Sequence, residues 1–174
     1  TGAPKVHGWL TGPTTYNLGS GSPDPSLPVD KFTMRATGLV NIPTAGSWFF
    51  GGVGDDGVRV VIDDRVMVDT WFEPGVVKNS GPQTMTAGWH RISIEYKEDA
   101  GNASFDVSWL PPGGSWAYIP NANLKPDLGL VTSTTTNNPT GAGMVTSTTG
   151  YADPIGGQAT STVTDSGGLN LTST

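Results

Sequence analysis

The sequence predicts an all-β fold, an antiparallel β-sandwich followed by a strand-rich repeat tail. Three observations predict it. Apolar and polar residues alternate with a period of two in "VRVVI", "RISIEY" and "SFDVSWL", so that Ile92, Ile94 and Tyr96 face one way, as do Phe105, Val107 and Trp109. Glycine and proline, 25 and 14 of the 174 residues, punctuate the chain at the roughly ten-residue spacing typical of a sandwich. No apolar run with helical periodicity is long enough to form a helix.

The first strands read in order are "WFFGG", "VRVVI" and "RVMV", rich in β-branched and aromatic residues. Asp63-Asp64 lies between the second and third of these, where a two-residue hairpin loop belongs, because aspartate tolerates the left-handed region that such a turn demands. "RISIEY" and "SFDVSWL" follow, and Trp116 and Tyr118, on a last strand, are read as packing residues. The long segment Phe72 to Gln83, "FEPGVVKNSGPQ", is the expected variable loop and the expected seat of specificity.

Composition changes near Leu124 to Leu128. All nine Lys and Arg lie at or before Lys125, and 18 of the 47 residues from Leu128 onward are Ser or Thr. The expected organisation is therefore a sandwich over residues 1–125 and a tail over 126–174. "VTSTT" at Val131 and at Val145 and "ATSTV" at Ala159 recur with a period of 14, each followed by turn formers such as "NNPTGAG", "YADPIGG" and "DSGG". Short strands of this kind bury little surface alone, so the tail is expected to stack on the first domain or on further repeats of the same polypeptide.

Charge excludes some functions. Fifteen acids against nine bases give a net charge of −6, which repels phosphate backbones, so nucleic acid is not an expected partner. No apolar stretch reaches 18 residues, so membrane insertion is not expected either. The chain has no cysteine, which is read as leaning to an extracellular setting. Catalysis has little support: a Gly-x-Ser-x-Gly motif, a cysteine nucleophile and a phosphate-cradling loop are all missing. Two neighbouring aspartates are also too close together to flank a glycosidic bond.

Asp55-Asp56 differs from the hairpin pair. Glycines precede and follow it, and it ends a strand. Two carboxylates on one short loop repel each other unless a cation sits between them, and a hard divalent ion such as calcium takes six to eight oxygen ligands. The residues alone leave two readings open, a metal pair and a solvated Asp-Gly turn. His90, beside Trp89 in a strand, reads as a structural histidine, and His7 has no second histidine at metal spacing.

From about residue 6 to residue 120 the chain resembles a known family. The landmarks are Arg35 and Gly38, then Pro43 and Gly46, an aromatic strand running into Asp55, Asp56 and Gly57, and a hairpin ending at Trp71. Ala87-Gly88-Trp89-His90, the strand to Tyr96 and the strand ending in Trp109 complete them. Together they resemble the lectin-like β-sandwich domain named after the anthrax toxin protective antigen. That resemblance implies a sugar-binding or adhesive module; with the tail described below, the expected setting is a larger secreted or cell-surface bacterial protein, and from the missing catalytic motifs no enzymatic activity is expected. The resemblance also implies a cis peptide between Asp55 and Asp56, and a Ca2+ ion held by that pair with oxygens of a later loop and ligating sugar hydroxyls.

By position that loop is "KEDAGNAS", where Asn102 is the first candidate ligand and Asp99 and Glu98 are alternatives by chemistry. Trp71 and Phe72 are candidate stacking surfaces for a pyranose, although Trp71 is also the family's packing anchor. The expected partner is a glycan of unspecified sugar. The chain departs from the family at Asp64, which replaces a common glycine, and in lacking the flocculin cysteines. The tail, through Tyr151-Ala152-Asp153 and Thr164-Asp165-Ser166-Gly167-Gly168, resembles Rhs-type tyrosine-aspartate repeats. The alternative function is then a docking or spacer sandwich attached to a repeat shell, without glycan binding.

Overall fold

Among the described residues of the first 126, eleven strands build two antiparallel sheets. The computed structural model describes residues 4–8, 10, 12, 14–127, 133–137, 144–153, 158–164 and 171–173. The chain divides into two compact units, Thr1–Pro126 and Asp127–Thr174.

In the first unit the strands are β1 (Thr15–Gly19), β2 (Phe32–Ile42), β3 (Gly46–Asp55), β4 (Gly57–Ile62), β5 (Arg65–Asp69), β6 (Lys78–Asn79), β7 (Gln83–Met85), β8 (Gly88–Glu98), β9 (Ala103–Leu110), β10 (Ala117–Tyr118) and β11 (Leu124–Lys125). One sheet runs β1-β9-β3-β6, with β10 also on β9 and β7 also on β3; the other runs β11-β2-β8-β4-β5. Among the described residues the only helical element is a 3-10 turn at Asn121–Asn123. The sandwich predicted from alternation is the fold, and its inward residues are those of the period-two pattern.

Alternate residues of the two sheets interdigitate. Trp48 and Phe50 of β3 and Phe105, Val107 and Trp109 of β9 meet Val58, Val60 and Ile62 of β4 and Ile92, Ile94 and Tyr96 of β8, all buried. Burying each such side chain contributes about 1.5–3 kcal/mol. The Tyr96 and Phe105 rings touch across the sandwich with centroids 5.2 Å apart, and Trp48 packs on Trp109 at 5.0 Å.

The turns follow residue chemistry. Asp63 and Asp64 sit at φ 47° and 62° and close the β4–β5 hairpin. Asp55-Asp56 occupies a different kind of place, the corner where the chain leaves β3 in one sheet and enters β4 in the other, and its peptide bond is cis. Glycines flank it because the backbone is crowded there. A Cβ on Gly57 would lie 2.8 Å from the Trp71 carbonyl oxygen, and one on Gly54 would lie 2.7 Å from the Val58 nitrogen.

Within the expected variable loop Lys78–Asn79 pairs with β3, and Gln83–Met85 pairs with it where the loop ends; strands of two or three residues are too short to show a period. One expectation needs correction. Trp116 and Tyr118 do not join the core: they are 43% and 54% exposed, because β10 and the residue before it lie at a sheet edge, on the outer face.

In the second unit β12 (Ser133–Asn137), β13 (Met144–Asp153), β14 (Gln158–Thr164) and β15 (Leu171–Ser173) form a four-stranded antiparallel sheet in sequence order. Tyr151-Ala152-Asp153, taken from the sequence as turn-forming, continues β13. Most of the turn residues that separate the repeats, including Asp165, Ser166, Gly167 and Gly168, lie outside the described residues.

Candidate functional site

The β3–β4 corner gathers acidic groups from three separate parts of the chain. Asp56 turns its carboxylate onto the β8–β9 loop, where Oδ2 accepts the backbone N–H of Asp99 at 2.6 Å and of Ala100 at 3.1 Å. The Asp56 N–H in turn donates to the Lys97 carbonyl at 3.2 Å. Asp30, on the segment entering β2, accepts the next amide of the loop, Gly101 N–H, at 3.1 Å. Three consecutive backbone donors are thus satisfied by two carboxylates, an arrangement that fixes the loop from both sides.

Beneath this corner lies Glu98, the last residue of β8, with no exposed surface. The Tyr96 hydroxyl donates to Glu98 Oε2 at 2.7 Å and is also directed at the Asp55 carbonyl oxygen. Glu98 Oε1 is buried without a hydrogen-bond partner. Burial pushes the Glu98 carboxyl above the usual range; the Tyr96 hydrogen bond opposes this, and the charges of Asp56, Asp55 and Asp30 add to it. Burial and the neighbouring Glu98 and Asp55 likewise push the Tyr96 phenol far above its ordinary value, so it remains a donor.

The structure treats the sequence candidates differently. It brings Asp56 and the Asp99 backbone together, but the Asp99 carboxylate is bound by Lys97 Nζ at 2.6 Å. That amine holds the Asp99 carboxyl below the usual range. Asn102 is exposed on the same loop, immediately before β9. Trp71 is half-buried, with the Arg59 guanidinium 5.2 Å from its ring centre. Phe72 is 84% exposed, and Lys97 Nζ lies 5.5 Å from its ring.

Sequence reading passed over Asp30, which sits in an irregular segment with no periodic signal. It also passed over Ser104 and Asp106, whose alternation with buried partners placed them outward without giving them a role. These two line a cleft of about 390 Å³ next to Asp55, with Val53, Phe105, Pro74 and Gly75. The Gly75 N–H donates to the Gly54 carbonyl at 2.9 Å and anchors one wall of the cleft.

The residues at the corner suit a hard cation only in part through carboxylates. Among the described residues no group of three or more His, Cys, Asp or Glu side chains is arranged to hold a metal. Calcium here would rely on Asp55 and Asp56 together with amide or carbonyl oxygens, a donor set this ion accepts. The unpartnered buried Glu98 oxygen and the accumulated negative charge fit the presence of a cation.

His90, read as structural, is bound at both nitrogens. Nδ1 is 2.5 Å from Asp63 Oδ2 and Nε2 is 2.9 Å from the Thr86 carbonyl oxygen. It belongs to the β4–β5 hairpin clasp and not to the corner.

Known proteins resemble the sandwich. The chain is 28% identical over 123 residues to the anti-sigma-I factor RsgI3 of Acetivibrio thermocellus, covering 70% of this chain and 19% of that protein. A solved anti-sigma factor domain-containing protein from Clostridium clariflavum superposes with a TM-score of 0.62 at 26% identity, over 68% of this chain and 41% of the other. A second anti-sigma factor domain-containing protein shares the fold, with a TM-score of 0.61 at 22% identity over 78% and 59% of the two chains. The chain therefore spans less than a fifth of the curated relative, and these relatives are named as anti-sigma factor proteins. Among the described residues no helix is long and apolar enough to cross a membrane. Residues 14–123 match the PA14 domain, the lectin-like sandwich that the sequence landmarks resemble, and the chain belongs to that family.

Proposed function

We propose that the sandwich is a calcium-dependent carbohydrate-binding module of a larger secreted or cell-surface bacterial protein. The observation that carries this reading is the acidic corner. Asp55, Asp56 and Asp30 crowd a buried Glu98 whose Oε1 has no partner, and buried negative charge of this kind calls for a compensating cation.

Asp55 and Asp56 would hold the ion with the Asn102 amide oxygen or loop carbonyls, and calcium when bound would supply coordination to sugar hydroxyls. The chain's own residues do the rest. Asp56 and Asp30 fix the loop that presents Asn102. Phe72, with 84% of its surface exposed, offers an apolar face for a pyranose, whereas the Trp71 ring already serves Arg59. Resemblance to a segment of an anti-sigma factor agrees with a recognition role within a longer protein.

Calorimetric titration of calcium into the chelated protein, followed by a glycan array with and without chelator, tests the reading. Calcium heat and chelator-sensitive glycan signals are expected, both lost in Asp55→Ala. Absence of calcium heat, with glycan signals indifferent to chelator and to Asp55→Ala, overturns it.

A further inference from the structure

The outer face of the β1-β9-β3 sheet, away from the core, carries an ordered set of groups that the corner does not use. Cross-strand register places them in three rows. Asn17, Ser104 and Asp55 form the first, Thr15, Asp106 and Val53 the second, and Tyr118, Ser108 and Gly51 the third. Directly paired residues share a face, and the inward neighbours Phe105, Val107 and Trp109 are all buried, so these rows face outward. Asp55 lies four positions beyond Gly51 along β3, which places the first and third rows about 13 Å apart.

Each end of this strip has a distinct character. At the Asp55 end is the cleft of about 390 Å³ lined by Ser104 and Asp106. At the other end Trp116 leans over bare backbone: a Cβ on Gly51 would lie 3.0 Å from Trp116 Cζ3 and 2.8 Å from the Ser108 hydroxyl. Glycine at this position lets the indole settle on the sheet, and 43% of the residue still faces solvent, beside the 54% exposed Tyr118. Among the described residues no hydrogen bond or ion pair engages the Asp106 carboxylate, and neither lysine nor arginine lines the cleft.

We propose that this face is an extended binding strip for one neutral polysaccharide chain, running from the Asp55 corner past Asp106 to Trp116 and Tyr118. The chemistry selects the occupant. Carboxylate and hydroxyl groups in a line accept and exchange hydrogen bonds with sugar hydroxyls, while exposed aromatic rings at the far end cover the apolar face of a pyranose. The Asp106 carboxylate, in a cleft lined by neither lysine nor arginine, repels uronate or sulfate chains. The strip rests on the carbohydrate-binding reading but not on calcium, since only its first row touches the proposed metal site.

Calorimetry with neutral gluco-, xylo- and manno-oligosaccharides, each as disaccharide and hexasaccharide, tests the proposal. In at least one series the hexasaccharide should bind about tenfold or more tightly than the disaccharide, a difference of about 1.4 kcal/mol. Trp116→Ala and Asp106→Ala should each remove most of that preference while leaving the chain folded at the assay temperature, by circular dichroism, and any calcium heat as in the unaltered chain. Equal affinity for both lengths, a preference untouched in Trp116→Ala, or no binding in any series overturns it. Sedimentation showing a dimer that Trp116→Ala converts to monomer also overturns it and assigns the face to a second copy of the chain. The two readings fail separately: calcium heat without length preference sinks the strip alone, and length preference that survives chelator with no calcium heat sinks the metal alone.

Discussion

Asp56 holds the backbone amide of Asp99 at 2.6 Å, tying the corner between the two sheets to the loop between β8 and β9. The same oxygen also accepts the Ala100 amide, so one carboxylate shapes the loop that presents Asn102. Hydrogen bonds to a charged acceptor contribute about 1.5–3 kcal/mol each. Asp56→Ala should therefore speed hydrogen exchange at Asp99 and Ala100 by at least about tenfold, equivalent to about 1.4 kcal/mol. Asp56→Asn, which keeps a neutral acceptor, should show a smaller effect. Unchanged protection at these two amides would contradict the clamp.

Glu98 presents the opposite case, a group whose charge the fold accommodates badly. It is fully buried, one oxygen is unpartnered, and Asp55, Asp56 and Asp30 surround it with like charge. Glu98→Gln removes the charge and keeps an oxygen to accept the Tyr96 hydroxyl. In chelator the variant should gain about 1–3 kcal/mol, and its melting temperature should rise by several degrees. Added calcium should stabilise it less than the unaltered chain, because the buried charge that the cation offsets is gone. A lower melting temperature for Glu98→Gln in chelator would show that the carboxylate is satisfied as it stands.

How much of this was legible in the sequence depends on how local the cause is. The inward set Ile92, Ile94 and Tyr96 follows from a period of two, and the Asp63-Asp64 turn from the φ that aspartate tolerates; both causes lie within a few residues. Asp30 is joined to Gly101 across 71 positions in sequence, and nothing near Asp30 signals it. Asp99 qualified by residue type, but the Lys97 amine two positions away takes its carboxylate. Trp116 and Tyr118 have the composition of packing residues, but they lie at and just before β10 on a sheet edge, and both are exposed. Residue type identifies what can ligate or stack, while topology decides which of those groups is available.

The glycines around the acid pair make a steric prediction. At Gly57 the obstacles to a Cβ are the Trp71 carbonyl oxygen and Cα, at 2.8 and 2.9 Å. Both are backbone atoms and cannot rotate away. Gly57→Ala should cost about 2–3 kcal/mol and displace Asp56 from the β8–β9 loop. Gly81→Ala serves as the control, since nothing lies within 4 Å of its Cβ position, and it should stay within about 0.5 kcal/mol. Urea midpoints for the two variants decide the matter; equal midpoints would mean that the corner is not crowded.

The hairpin clasp predicts a pH dependence far from the corner. His90 bridges Asp63 and the Thr86 carbonyl, and Asp63 Oδ1 also accepts the Arg91 amide at 3.0 Å. For His90, burial favours the neutral ring, but the Asp63 and Thr86 hydrogen bonds and the Asp63 charge outweigh it and raise its pKa, with Arg65 opposing. For Asp63, burial again works against the charge, and the bonds from His90 and Arg91 with the charges of His90 and Arg65 hold it below the usual carboxylate range. A raised histidine stabilises the fold fully below its unfolded value of about 6.5 and loses that contribution as pH climbs through the folded one. A depressed aspartate contributes above its unfolded value of about 3.9 and loses it as pH falls through the folded one. The clasp should therefore stabilise most between about pH 4 and 6.5. Because the Asp63 side chain is 42% exposed, solvent limits the gain to about 1 kcal/mol or less. The stability difference between the unaltered chain and His90→Gln, measured by urea unfolding, should be larger at pH 5.5 than at pH 8.5. Equal differences at the two pH values would show that His90 is not held as the cation.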